Sequence, residues 1–224
     1  MTATEQLEKI NVATRELVEL QYSTYNRSLV PQLETKGIRI IDAFEELTAE
    51  QQEFVDKYFE ETVYPVLTPM AVDASSPFPL IRNKTLNIAA FLLKKGEKKK
   101  EENYEFATVQ VPGVLPRIIP IPDGENHSFI LLEQIIEKNM ERLFLNYDVI
   151  CAYPYRIMRN ADLTIDEDEA EDLLQENQKQ LKKRQWGEII RLEVEDKIDK
   201  KLLHFLKEEL QIPKDDIYKI NGPL

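Results

Sequence analysis

Apolar residues recur at steps of three and four through Leu7, Ile10, Ala13, Leu17 and Leu20, which predicts a helix over residues 5 to 35. Pro31 starts a new turn within it, and Gly37 is placed to cap its C-terminal end. Residues 38 to 41 read as a short extended link. Thr48 and Gln51 then form a capping box for a helix running to about Thr62, whose apolar side holds Phe54, Val55, Tyr58 and Phe59. From Tyr64 the pattern changes. Pro65, Pro69, Pro77 and Pro79 break helical continuity and predict extended backbone at the residues before them.

Beyond that point, strand-like runs fall at Leu86 to Leu93, Glu105 to Val111, Phe129 to Leu132, Val149 to Arg159 and Glu188 to Val194. Amphipathic runs at Leu132 to Phe144, Glu167 to Arg184 and Lys197 to Leu210 predict helices, the second stopped by Lys182, Lys183, Arg184 and Gly187. GEKKKEEN, residues 96 to 103, has the composition of a solvated hairpin loop. These elements predict an α+β fold: a short antiparallel helical segment, residues 1–62, followed by a mixed α/β domain, residues 63–224, with a mixed or antiparallel sheet.

Within β-type residues 155 to 159 the alternation places Tyr155, Ile157 and the aliphatic part of Arg159 on one face and Arg156 and Met158 on the other. Asp166 with Glu169 forms an acidic capping box for the helix that follows, with Glu167 and Asp168 adding negative charge at its N-terminal end.

Composition narrows the possible functions. At 224 residues and 42% hydrophobic, the chain supports one large domain or a small one joined to a medium one. A formal net charge of -12, from 29 basic and 41 acidic side chains, argues against a surface that grips nucleic acid along its backbone. Residues 1–62 hold six basic and thirteen acidic side chains, leaving 23 and 28 for the rest. The single cysteine, Cys151, rules out an intrachain disulfide and suits a reducing, cytoplasmic compartment. Glu5, Glu8, Glu16 and Glu19 interrupt the N-terminal residues, so neither a signal peptide nor a membrane span is predicted.

The sequence carries no self-contained catalytic motif. Neither GxxxxGK[ST] nor GxGxxG occurs among its six glycines. Asp162, Asp166, Asp168, Glu169 and Asp172 lack the central glycine and distal glutamate of an EF-hand loop, with Leu173 at the twelfth place, and read as helix capping and a wet face. His127 lies in the polar turn GENHS and His204 on a helix face, with no basic cluster beside either. Arg156, Arg159, Asn160 and Arg82 are the candidate polar site residues, because guanidinium groups clamp phosphate or carboxylate bidentately. Acidic neighbours at 162, 166 and 167 supply the other reading, in which ion pairs fix the strand-to-helix corner; Lys84, near Asn83 and Asn87, is weighed the same way. Trp186, Tyr64, Phe78, Tyr153 and Tyr155 suit core packing, with one or two available to anchor an interface.

Four blocks in order, YPVLTPMAVD with PFPLIRNKTLN, FATVQVPGVLPR, YRIMRNADLTIDEDEAEDLL and DIYKINGPL, resemble the type 1 polyphosphate kinases across roughly residues 25 to 224. Those enzymes move the terminal phosphate of ATP onto inorganic polyphosphate through a phosphohistidine. The resemblance implies that residues 1–62 are the C-terminal part of a helical N-terminal domain and 63–224 the head (middle) domain. It also implies that the catalytic C-terminal domains, with their histidine, phosphate-holding residues and Mg2+ site, lie outside this chain. It implies ATP and Mg2+ as cofactors of the full-length parent and none for this chain. It further implies homodimer contacts through the head domain, polyphosphate and ATP as partners of the parent alone, no nucleic acid, and a cytoplasmic location that extends to the membrane periphery. The competing expectation is a stand-alone, non-catalytic dimerisation or regulatory module with the same fold.

Overall fold

The computed structural model describes residues 2–72, 78–124, 126–160 and 187–224. The predicted helix at 167–184, the Asp166–Glu169 capping box, the acidic set from Asp162 to Asp172, Pro77 and Trp186 lie outside the described residues.

The chain opens with α1 (Ala3–Thr24), started by a capping box in which the Thr2 hydroxyl accepts from Glu5 N–H and the Glu5 carboxylate accepts from Thr2 N–H at 2.8 Å. A π-helical turn, Tyr25–Leu29, leads into α2 (Val30–Glu34), and Gly37 closes the run with a φ of 75° that favours glycine. After β1 (Ile38–Ile41) comes α3 (Ala49–Tyr58), with the predicted Thr48–Gln51 box in place, then a second π turn, Phe59–Val63. Both π turns stand immediately before an X-Pro pair. Val30 N–H bonds Tyr25 O and Tyr64 N–H bonds Phe59 O, each five residues back. That widening moves aside the carbonyl a proline ring would otherwise strike, so helical backbone continues past Pro31 and Pro65. Tyr64 therefore keeps φ -51° and ψ -45°, correcting the expectation that Pro65 holds it extended.

The strands form two sheets. A six-stranded mixed sheet has the order β2 (Pro69–Val72), β4 (Tyr104–Gln110), β3 (Leu86–Lys94), β7 (Tyr147–Arg159), β8 (Ile189–Glu195), β9 (Ile217–Ile220), antiparallel except for the β8–β9 pair. A three-stranded sheet sets β1 parallel to β6 (His127–Leu131), which pairs antiparallel with β5 (Ile118–Ile121). The structure thus resolves the expected mixed or antiparallel sheet as mixed. Three four-residue strands, β2, β5 and β9, escape the sequence pattern. Helices α4 (Leu132–Lys138) and α5 (Met140–Leu143) follow β6, and α6 (Lys200–Glu209), capped by Asp199, lies between β8 and β9.

From Ile88 to Leu93 strand β3 reads as an unbroken apolar run because both its faces are covered. Ile88, Ala90 and Leu92 meet Val55, Phe59 and Val63 from α3 and its π turn, Ile135 and Ile136 of α4, and Ile41 and Ile130 of the small sheet. Ala89 and Phe91 point the other way, into a core with Phe106, Tyr155, Ile157, Leu192, Val194 and Leu202 and Leu206 of α6. Residues 41 to 63 therefore share a core with residues 88 to 144. Helix α1 meets the large sheet at its β9 end, where Val18 and Tyr22 pack on Tyr218, Ile220 and Leu224.

Candidate functional site

Two polar regions stand out, and the first contains the sequence candidates. Arg156 on β7 lies directly across from Glu193 on β8, and Glu193 in turn lies opposite Tyr218 on β9. Arg156 Nε and Nη2 donate to Glu193 Oε2 at 2.6 and 2.5 Å, and Arg191 Nη2 reaches Glu193 Oε1 at 2.5 Å. One carboxylate, only 4% exposed, thus sits between two guanidinium groups. The Arg191 guanidinium also lies 3.9 Å from the centroid of the Tyr218 ring, and Arg15 of α1 lies 4.5 Å from it.

Arg159, at the end of β7, binds backbone. Its N–H donates to Asn83 Oδ1 at 2.9 Å, its Nε to Ile81 O at 3.2 Å and its Nη1 to Gly187 O at 2.8 Å, while burial pulls its pKa below the ordinary guanidinium range. Asn160 N–H donates to Glu188 O at 2.7 Å, and Lys84 N–H to Ile157 O at 2.9 Å. Lys84 adopts a φ of 61°, and the Arg82 carbonyl accepts from the Thr85 hydroxyl at 2.9 Å, so residues 81 to 85 form a tight turn against the β7 terminus. Arg82 is exposed. The structure brings Arg159, Asn160 and the 81–85 turn together and sets Arg156 apart, on the opposite face of β7 with Glu193. The fork donors of Arg156 and Arg159 are turned toward internal acceptors.

The second region is a cleft of about 810 Å³ between α4, the segment after β1, and the turns at residues 195–197 and 220–224. Asp42, Glu133, Glu137 and Glu195 line it together with Lys138 and Lys197. Glu133 forks onto Arg117, with Arg117 Nε at 2.9 Å from Oε1. Burial first, then repulsion from Glu195, Glu45 and Glu133, pushes the Glu137 carboxyl up to about 8. Burial likewise raises Glu195 and Asp42, opposed in each case by Lys197. Such a cleft favours cations or neutral donors. Among the described residues, no three His, Cys, Asp or Glu side chains come close enough to hold a metal ion. Sequence reasoning missed this cleft; its one signal was the i, i+4 spacing of Glu133 and Glu137.

His127 is exposed at the start of β6, its N–H donating to Gly37 O at 2.8 Å, and His204 is exposed on α6 with Glu208 at 3.9 Å.

The polyphosphate kinase middle domain model matches residues 50–224. The chain belongs to the polyphosphate kinase family. Polyphosphate kinases from Bacillus anthracis and Lactiplantibacillus plantarum are 44% and 46% identical to it; the alignments cover all of this chain and 32% and 30% of those proteins. The crystal structure of the polyphosphate kinase from Porphyromonas gingivalis shares the fold with a TM-score of 0.76 at 21% identity, over 99% of this chain and 32% of that one. The chain thus spans about a third of the length of the polyphosphate kinases it matches, and corresponds to part of such a transferase that includes its middle domain. No helix among the described residues is long and apolar enough to cross a membrane.

Proposed function

We propose that this chain is a scaffold and assembly section of a polyphosphate kinase that transfers the terminal phosphate of ATP to inorganic polyphosphate, and that it has no phosphotransferase activity alone. The observation that carries this reading is the middle-domain match over residues 50–224 in a chain whose candidate guanidinium groups, Arg156 and Arg159, are bonded to Glu193 and to backbone carbonyls. In this reading the phosphohistidine, ATP and Mg2+ belong to the part of the parent outside these 224 residues. Arg156, Arg159, Asn160 and Arg82 fix the β7 corner and its neighbouring strands.

Residues 1–62 act as the C-terminal part of a helical N-terminal domain and 63–224 as the head. The exposed stripe of α1 supports the helical-domain part of this division, while residues 41 to 63 join it to the head's core. Ile10, Leu17 and Leu20 are each 58–65% exposed, on the side of the helix opposite Arg15 and Tyr22, and Leu7 is exposed beside them, which suits packing inside a larger helical bundle. The head contributes homodimer contacts and borders the active site, in a cytoplasmic enzyme that also works at the membrane periphery.

The test is phosphoryl transfer from labelled ATP with Mg2+, run on this chain and on the full-length parent with polyphosphate as acceptor. Label and polymer growth with the parent alone are expected. Acid-labile label on His127 or His204 of this chain would overturn the reading.

A further inference from the structure

Five arginines of this acidic chain, Arg39, Arg117, Arg142, Arg156 and Arg191, are each paired with a carboxylate. Arg15 and Arg27 have no such partner among the described residues. Both line one groove of about 490 Å³ between α1, the π turn that follows it and β9. Lys219 is the third cation there, Ser23, Asn26 and Asn221 add polar groups, and Glu19 is the one carboxylate among the lining residues. Arg27 and Lys219 are exposed, and Lys219 also lacks an acidic partner among the described residues.

The walls of the groove are fixed by hydrogen bonds. Asn26 Nδ2 donates to Asn221 O at 2.7 Å, and the Tyr22 hydroxyl donates to Pro223 O at 2.8 Å. Arg15 Nη2 donates to Asp215 O and, at 3.4 Å, to Ile217 O, which holds the guanidinium at one end and leaves Nε and Nη1 without an acceptor among the described residues. Arg27 stands twelve residues further on, about 18 Å along a helix, so the charges suit an extended anion better than a compact one. The two tyrosine rings of the groove are engaged already. Tyr218 carries the Arg15 and Arg191 guanidiniums at 4.5 and 3.9 Å from its centroid, and Tyr22 packs on Tyr218, Ile220 and Leu224. A single-stranded nucleic acid needs aromatic faces on which its bases stack, whereas an inorganic polyanion needs only the cations.

We propose, resting on the reading that the parent acts on polyphosphate, that the groove between α1 and β9 binds an inorganic polyphosphate chain. Arg15, Lys219 and Arg27 contact successive stretches of the polymer, and Ser23 and Asn26 supply neutral donors between them.

The experiment measures binding of polyphosphate to this chain by calorimetry, without ATP and over a salt series, beside orthophosphate and a single-stranded oligonucleotide of matched charge. Polyphosphate is expected to bind more tightly than either. Arg27→Gln with Lys219→Gln, two exposed side chains clear of the core, is expected to weaken polyphosphate binding about tenfold and to make the slope of log affinity against log salt shallower by about one to two. Lys98→Gln with Lys99→Gln, on the loop at residues 96 to 103, removes equal charge elsewhere and is expected to leave the affinity unchanged. Polyphosphate is also expected to slow acetylation of Lys219 by an amine-reactive reagent and not that of Lys99. No binding, equal losses for the two pairs of substitutions, an oligonucleotide bound as tightly as polyphosphate, or Lys219 left unprotected would each overturn the proposal. Polymer growth by the full-length parent is scored separately: an active parent beside a chain that binds nothing overturns the groove alone, and an inactive parent counts against the transferase reading rather than the groove.

Discussion

The phenol of Tyr155 and the hydroxyl of Thr108 lie 3.0 Å apart across strand β3, both side chains fully buried. Burial raises the Tyr155 pKa well above its ordinary value, so the phenol stays neutral and each hydroxyl depends on the other for a partner. Tyr155→Phe leaves Thr108 without one and is expected to cost about 1–3 kcal/mol of stability. Tyr155→Phe with Thr108→Val removes both groups and is expected to cost less than the sum of the single changes. Urea denaturation of the four proteins of this cycle measures the coupling; strict additivity would show that the bond contributes nothing.

Glu137 predicts a pH dependence of unusual sign for a carboxylate. Its folded pKa of about 8 lies above the ordinary value of 4.5, so the native state holds the proton more tightly than the unfolded chain does. Its contribution is fully present below the unfolded value and is lost as pH rises toward 8. Glu137→Gln, which keeps a neutral side chain at every pH, is therefore expected to be more stable than wild type at pH 8 by about 1–2 kcal/mol. The difference should shrink toward zero near pH 4.5. Denaturation midpoints taken across that range give the answer, and a difference independent of pH would remove Glu137 as its source.

Much of the fold can be read along the chain because the decisive signals are local. The Thr48–Gln51 box, the apolar run at residues 86–93 and the alternation of Tyr155 and Ile157 each depend on neighbours a few positions away. What escaped depends on distant partners. Strands β2, β5 and β9 have four residues each, and Pro69 and Pro120 mask two of them; β2 and β5 are tolerated as strands because they lie at sheet edges. Pro65 looked like an extended-chain signal because the π turn that accommodates it has no residue-type signature. The acidic cleft draws Asp42, Glu133 and Glu195 from separate elements, so beyond the i, i+4 pair of Glu133 and Glu137 no spacing announces it. Arg156 was visible as a candidate, but its partner Glu193 is 37 residues away.

That pairing leads to a ranking. Glu193 is buried between Arg156 and Arg191, whose side chains are 29% and 18% exposed. Glu193→Ala strands two partly buried positive charges and is expected to cost about 3 kcal/mol or more. Arg156→Ala leaves the carboxylate paired with Arg191 and is expected to cost about half as much. Chemical denaturation at low ionic strength separates the two; an Arg156 variant as damaged as the Glu193 variant would mean that Arg191 does not share the carboxylate.

Gly187 provides the sharpest steric test of the β7 corner. A Cβ added there would run into the backbone carbonyl of Asn160, and a backbone obstacle cannot rotate away as a flexible side chain does. The same residue offers its carbonyl to Arg159 Nη1 at 2.8 Å, so displacing it also loosens the guanidinium that ties β7 to Ile81. Gly187→Ala is therefore expected to destabilise the chain by about 2 kcal/mol or more, through backbone displacement and a weakened hydrogen bond to a charged group. Arg159→Lys, which leaves the backbone alone but loses the fork, should cost less. Equilibrium denaturation of both variants, with amide exchange at Asn160 and Arg159, distinguishes the routes. If Gly187→Ala proves as stable as wild type with the Asn160 amide still protected, the close approach of residues 160 and 187 is not a feature of the folded chain.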